Sequence, residues 1–138
     1  MDRSGRPRLG FIGTGVVATA LARGLADAGY LIAAVHGRND RRAHVLAATL
    51  PGAILAPSCQ DVVDAADLVF LAVSDDAIAS VAASVRWRPG CAAVHCNGAA
   101  SLDVLRAAAD GGAEVGVLHP LQSFANADQA QRLMRGSC

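Results

Sequence analysis

The stretch Leu9-Gly10-Phe11-Ile12-Gly13-Thr14-Gly15-Val16-Val17-Ala18 constrains the fold more than any other part of the chain. An apolar run ends in Gly13-x-Gly15-x-x-Ala18, and an Ala/Leu-rich helical repeat follows at once. This predicts a buried strand, a tight turn and a helix. Gly13 permits the turn. Gly15, with no Cβ, lets a ligand approach the backbone, and Ala18 lets the helix pack close to the strand. The first amides of such a helix point outward with its positive dipole end, which suits a pyrophosphate. A glycine-rich turn alone is common and can be purely structural. Its place between a strand and a helix favours dinucleotide binding.

The rest of the chain repeats this alternation. The first strand, Leu9–Ile12, is followed by a helix over 16–28 with Ala18, Leu21, Ala22 and Leu25 on one face and Gly29 as a left-handed cap. A continuously apolar strand spans Leu31–Val35, and a helix over 41–50, with Asp40 as its expected cap, stops at Pro51-Gly52. A short strand lies near Ala53–Leu55, and Ser58 with Asp61 caps a helix running through Ala66. The fourth strand is Asp67–Val73, and Asp75 or Asp76 is expected to cap the helix over 77–85. The fifth strand is Cys91–His95, Ser101 caps a helix over 102–109, and the sixth strand is Ala113–Leu118. Residues 1–8 read as a flexible arm, 9–125 as one Rossmann-type domain, and 126–138 as a polar tail, the start of a truncated helical domain. The fold class expected is α/β: a doubly wound, mostly parallel sheet in the order 3-2-1-4-5-6, with helices on both faces.

Composition supports this reading. The hydrophobic share is 53%, with few aromatic residues, as suits a sheet that is apolar on both faces. Formal net charge is zero, so nothing in the charge balance points to nucleic acid or an anionic membrane surface. The basic residues are all arginine, which carries no function by itself. Cys59, Cys91, Cys96 and Cys138 make neither a Cys-x-x-Cys pair nor a zinc spacing with the histidines, so no metal site is expected. Free thiols and the lack of a signal peptide or apolar span point to a cytoplasmic protein.

In a sheet of this kind, ligands bind beyond the carboxyl ends of the strands, where the strand order reverses. That rule gathers Gly13, Thr14, Gly15, Val16 and Val17 after the first strand, Gly37 and Arg38 after the second, Val73, Ser74 and Asp75 after the fourth, and His95 at the end of the fifth. NAD-binding domains usually carry an acid after the second strand, for the ribose 2′-hydroxyl. Here the loop reads His36-Gly37-Arg38-Asn39-Asp40-Arg41-Arg42, and guanidinium groups favour a 2′-phosphate. NADP is therefore expected ahead of NAD, with Arg38 on the 2′-phosphate and Arg42 on a solvated helix face. Missing acid after the second strand also argues against an S-adenosylmethionine site. His36 and His44 read as surface or cap residues. Asn97 and His119 are the catalytic candidates: an amide for the carboxamide or substrate, and an imidazole able to donate a proton to a carbonyl.

With these residues in place, four blocks resemble a family of Rossmann-type oxidoreductases related to pyrroline-5-carboxylate reductase and 6-phosphogluconate-type dehydrogenases. They are Gly10–Ala18, Asp67–Ile78, His95-Cys96-Asn97-Gly98-Ala99 and Gly116–Phe124, together covering about residues 8–125. The last two blocks are the more specific. The resemblance implies an N-terminal NADP-binding domain followed by a helical C-terminal domain that supplies much of the substrate pocket and the dimer interface. Asn97 departs from the family's usual serine, and the helical domain would begin where this sequence stops. The expected function is hydride transfer between NADP and a small carbonyl or imine substrate, by a homodimer or with a helical partner domain. A non-catalytic NADP(H)-binding regulatory or redox-sensing module is the alternative.

Overall fold

In the computed structural model, residue 2 and residues 5–96 and 101–118 are described. β1 (Leu9–Ile12), β2 (Ile32–His36), β3 (Ile54–Leu55), β4 (Leu68–Leu71), β5 (Ala92–His95) and β6 (Glu114–Val117) alternate with helices. These are α1 (Val16–Asp27), α2 (Asp40–Thr49), α3 (Cys59–Ala65), α4 (Asp75–Ser84) and α5 (Arg106–Asp110), the last entered through a 3-10 turn over Leu102–Leu105. The sheet order is β3-β2-β1-β4-β5-β6, and every neighbouring pair is parallel. The expected reversal therefore falls between β1 and β4.

Strand side chains alternate between two apolar layers. Leu9 and Phe11 of β1 enter the layer containing Ala18, Leu21, Ala22 and Leu25 of α1 and Leu46 of α2. Ile12 enters the other layer, with Val62 and Val63 of α3, Ile78 and Ala82 of α4, and Leu105. Across the β1–β4 pair, the Phe11 and Phe70 rings stack with centroids 4.8 Å apart. Gly10 has a steric purpose. A Cβ there would stand 2.6 Å from Val62 Cγ1, so its absence lets α3 lie directly over β1. The register between β1 and β2 slips once, because Leu9 pairs with Ile32 but Gly10 with Ala34.

The helix ends follow side-chain chemistry. α1 stops in a Schellman arrangement: Gly29 has φ +98°, and the Tyr30 amide donates to the Leu25 carbonyl at 3.0 Å. Ser58 caps α3 as the sequence suggests, accepting from the Asp61 amide. Arg88 closes the other end of α3, donating to the Val63 and Ala66 carbonyls. Three expectations need correction. Asn39, not Asp40, caps α2: it stands at the N-cap with extended backbone, and its side-chain oxygen accepts from the Arg42 amide at 3.0 Å, while Asp40 is already the first residue of the helix. Ser74 holds the N-cap position of α4, while Asp75 and Asp76 lie in its first turn, where their charge faces the positive end of the helix. The segment after Ser101 also begins as a 3-10 turn instead of a regular α-helix.

Within the segment read as an arm, two arginines are anchored. Arg6 donates to the Ala28 carbonyl at 2.9 Å and lies over the Tyr30 ring, 4.9 Å from its centroid. Arg8 reaches Asp67 through its amide at 2.8 Å and through its guanidinium at 3.2 Å and 3.3 Å. This pair joins the entries to β1 and β4. Burial alone would push the Asp67 carboxyl up, but hydrogen bonds from the Arg8 guanidinium and amide outweigh it and hold the group well below the usual carboxylate range. A lowered native pKa adds stability above the unfolded value and loses it as acid protonates the group. Asp67→Asn should therefore cost up to about 1 kcal/mol near neutrality, a modest figure because Arg8 is partly exposed. The gap from the wild type should narrow as pH falls below about 4. Urea unfolding of both proteins from pH 7 to pH 3 measures this, and a gap that widens in acid would contradict it.

Candidate functional site

Three loops converge at the carboxyl edge of the sheet. β1 ends with Gly13 at φ +109°, a conformation other residues rarely adopt, and its amide donates to the His36 carbonyl of β2 at 2.7 Å. A Cβ on Gly13 would run into the Ala72 carbonyl just beyond β4 and come within 3.4 Å of Val73. Gly13 thus allows the β1 and β4 ends to close on each other. Its amide is already used, so the groups free to meet a ligand lie further on. Thr14 packs on Gly37, which is buried; a Cβ on Gly37 would stand 2.7 Å from both Thr14 Oγ1 and Cγ2. The loops after β1 and β2 therefore lie in contact.

Gly15 differs from both neighbours. It has φ −74°, stands at the N-cap of α1, and faces open space where a Cβ would be. No side chain caps this helix, and its first turn holds no acid. In contrast, α2 and α3 carry side-chain caps, and α2, α3 and α4 each have an acid in the first turn. The first α1 amides are thus left to an outside acceptor. Val16, in the first turn, is 82% exposed although apolar. The site expected at this turn is an open, positively polarised backbone edge.

A cavity of about 600 Å³ continues from that edge between α1 and α2. Its walls include Thr14, Gly15 and Val16 of the turn, Thr19, Ala20 and Arg23 along α1, and Arg41, Arg42, Val45 and Leu46 of α2. Arg38, expected on the 2′-phosphate, is exposed and is not among these lining residues. Arg42, read as a solvated face, is among them. Thr19 and Arg23 went unread in the sequence, yet the spacing Gly15–Thr19–Arg23 follows one stripe of a helix, beside the stripe that forms the core. That stripe is the signal that could have found them.

The remaining expected residues fall in different places. Val73, Ser74 and Asp75 follow β4, with Ser74 and Asp75 exposed at the start of α4. His95 ends β5 with no exposed surface, and its Nε2 lies 3.2 Å from the Ser101 carbonyl, tying β5 to the turn before α5. Asn97 and His119 lie outside the described residues, as does the tail over 126–138. Among the described residues the thiols are poor nucleophiles: burial pushes Cys96 up to about 12 and raises Cys91 and Cys59.

Comparison with known proteins agrees with this fold. The family described as NADP oxidoreductase, coenzyme F420-dependent, matches residues 8–92. A reductive aminase from Aspergillus terreus, solved with NADPH and ethyl levulinate, is 21% identical with a TM-score of 0.67, over 80% of this chain and 39% of that one. At that identity the likeness is one of fold. An imine reductase from Pseudomonas sp. is 26% identical (TM-score 0.62; 77% of this chain, 37% of that one). One from Myxococcus stipitatus, solved with NADP+, is 25% identical (TM-score 0.62; 79% and 39%). The chain therefore spans about two fifths of the length of these structures. No protein of curated function matches it.

The two outer glycines of the turn separate fold from site. Gly13→Ala should lose about 2–4 kcal/mol of stability, from a strained φ and a backbone collision. Gly15→Ala should stay within about 0.5 kcal/mol of the wild type, since nothing opposes its Cβ. Denaturant unfolding of both variants tests this, and equal losses would overturn the distinction.

Proposed function

The chain belongs to the coenzyme F420-dependent NADP oxidoreductase family, and from that premise we propose that it is the NADP-holding domain of an oxidoreductase that moves hydride to or from a small carbonyl or imine substrate. One observation carries the reading. α1 begins without a cap or an acid, directly after a glycine with open space above it, at the point where the strand order reverses. The residues fit the dinucleotide, because the cradle at Gly15 is one that a side chain would fill. When bound, the nicotinamide supplies the hydride chemistry.

The chain's own groups bind and orient. The backbone of Gly15, Val16 and Val17 receives the pyrophosphate, with Thr14 against Gly37 fixing the turn. Arg38, Arg41 and Arg42 present positive charge to the 2′-phosphate side. Ser74 and Asp75 face the ribose side from the start of α4. His95 holds the end of β5 in place for the segment that carries Asn97, and Asn97 and His119 are the proposed groups nearest the reacting carbon. Substrate selection and pairing into a homodimer belong, in this reading, to a helical domain or partner beyond residue 125. Residues 9–125 form the cofactor domain, in the cytoplasm. Among the described residues, no helix is long and apolar enough to cross a membrane. The imine reductases and the reductive aminase named above favour a carbonyl or imine over other acceptors.

Isothermal titration with NADPH and NADH tests the proposal. NADPH should bind at least about tenfold more tightly, a difference of about 1.4 kcal/mol. Gly15→Ala, though stable, should lose at least about tenfold in NADPH affinity. Equal affinity for both dinucleotides, or full binding by Gly15→Ala, would refute it.

A further inference from the structure

Three arginines line the cavity between α1 and α2, and only two of them come from the segment after β2 that ordinarily reads the adenosine ribose. Arg41 and Arg42 open α2, whereas Arg23 stands two turns along α1. None of the lining residues is acidic. The side chains of Arg23, Arg41 and Arg42 make no ion pair or hydrogen bond with the described residues. Arg6, Arg8 and Arg88 are held by a carbonyl and a ring, by Asp67 and by two carbonyls, whereas Arg38, Arg86 and Arg106 make no such side-chain contact with the described residues either; what sets Arg23, Arg41 and Arg42 apart is that they share one cavity. Arg23, Arg41 and Arg42 thus place three guanidinium groups around one cavity with no acid among its walls, a local positive potential that suits an anion.

From this placement we infer that Arg23 is a specificity-determining residue, a guanidinium that closes on the 2′-phosphate from the α1 side and selects NADP over NAD. The inference rests on the NADP reading above and adds a contact from a different element. Arg23 is about 12 Å along the helix axis from Gly15. Helical side chains lean back toward the N-terminus, so its stem runs over Thr19 toward the turn instead of away from it. Thr19, one turn before it on the same stripe, puts a hydroxyl on the same wall. Arg41 and Arg42 face the stripe from α2, so an anion between the helices meets donors on both sides. A planar guanidinium suits a phosphate in this position, since it offers paired N–H donors at fixed geometry. NADH lacks that phosphate and would leave Arg23 without its acceptor.

The test is titration calorimetry on the 138-residue chain, wild type and Arg23 variants, with NADPH, NADH and 2′,5′-ADP as separate probes. Arg23→Ala should weaken NADPH and 2′,5′-ADP about tenfold each and change NADH less than about twofold. Arg23→Glu should weaken the two phosphate-bearing probes further, and Arg23→Lys should recover part of the loss. Arg23 is exposed, so the melting temperature should hold in each variant; Arg23→Gln gives the same comparison if alanine lowers it. NADPH affinity kept within twofold in Arg23→Ala, or NADPH and NADH weakened together, overturns the role of Arg23 and leaves the NADP reading standing. A wild-type chain that binds neither dinucleotide removes both.

Discussion

Two chain segments meet at the end of β1 with no room for a side chain between them. The Gly13 backbone lies against the Ala72 carbonyl while its amide is bonded to His36. This contact draws together the ends of β2, β1 and β4, which belong to strands far apart in sequence. The first turn of α1 owes its position to it. With Gly13 fixed by both neighbours, Gly15 is carried clear of the sheet and the α1 amides point into open space. At the opposite edge, Arg8 and Asp67 hold the same two strands at their start. β1 and β4 are thus fastened at both ends, on either side of the reversal in strand order.

Different glycines in one short motif serve different forces. Gly10 makes space for α3, Gly13 for a neighbouring backbone at positive φ, and Gly15 leaves open space above the first turn of α1, where the proposed cofactor would sit. Gly37 makes space for Thr14, which brings the β2 loop to the site. A motif that reads as one signal in sequence therefore combines packing with binding, and the open space at Gly15 separates the two.

Much of the fold could be read from local pattern. The β1 turn, the Ala18/Leu21/Ala22/Leu25 stripe, Gly29 and the Ser58 cap depend on neighbours in sequence, and each stands where its residues indicate. The strand order followed from the glycine fingerprint after the first strand, which goes with the order 3-2-1-4-5-6. Less legible were features decided by competition between adjacent groups or by distant partners. Asn39 and Asp40 both suit a cap, and only the backbone path decides between them. Arg38 looked apt by loop position alone, whereas the walls of the cavity depend on how α1 and α2 lie together. Arg23 and Thr19 belong to the unburied side of α1, which a search for core positions passes over.

The sheet separates two apolar layers that share no helix: α1 and α2 lie on one side, α3, α4 and α5 on the other. The cavity proposed for the cofactor lies between α1 and α2, on the first side. Mutational drift along the outer stripes of α1 and α2 can therefore retune which nucleotide is accepted, while the layer behind the sheet keeps its packing. A scaffold divided in this way lets cofactor choice evolve separately from the part that keeps the chain folded.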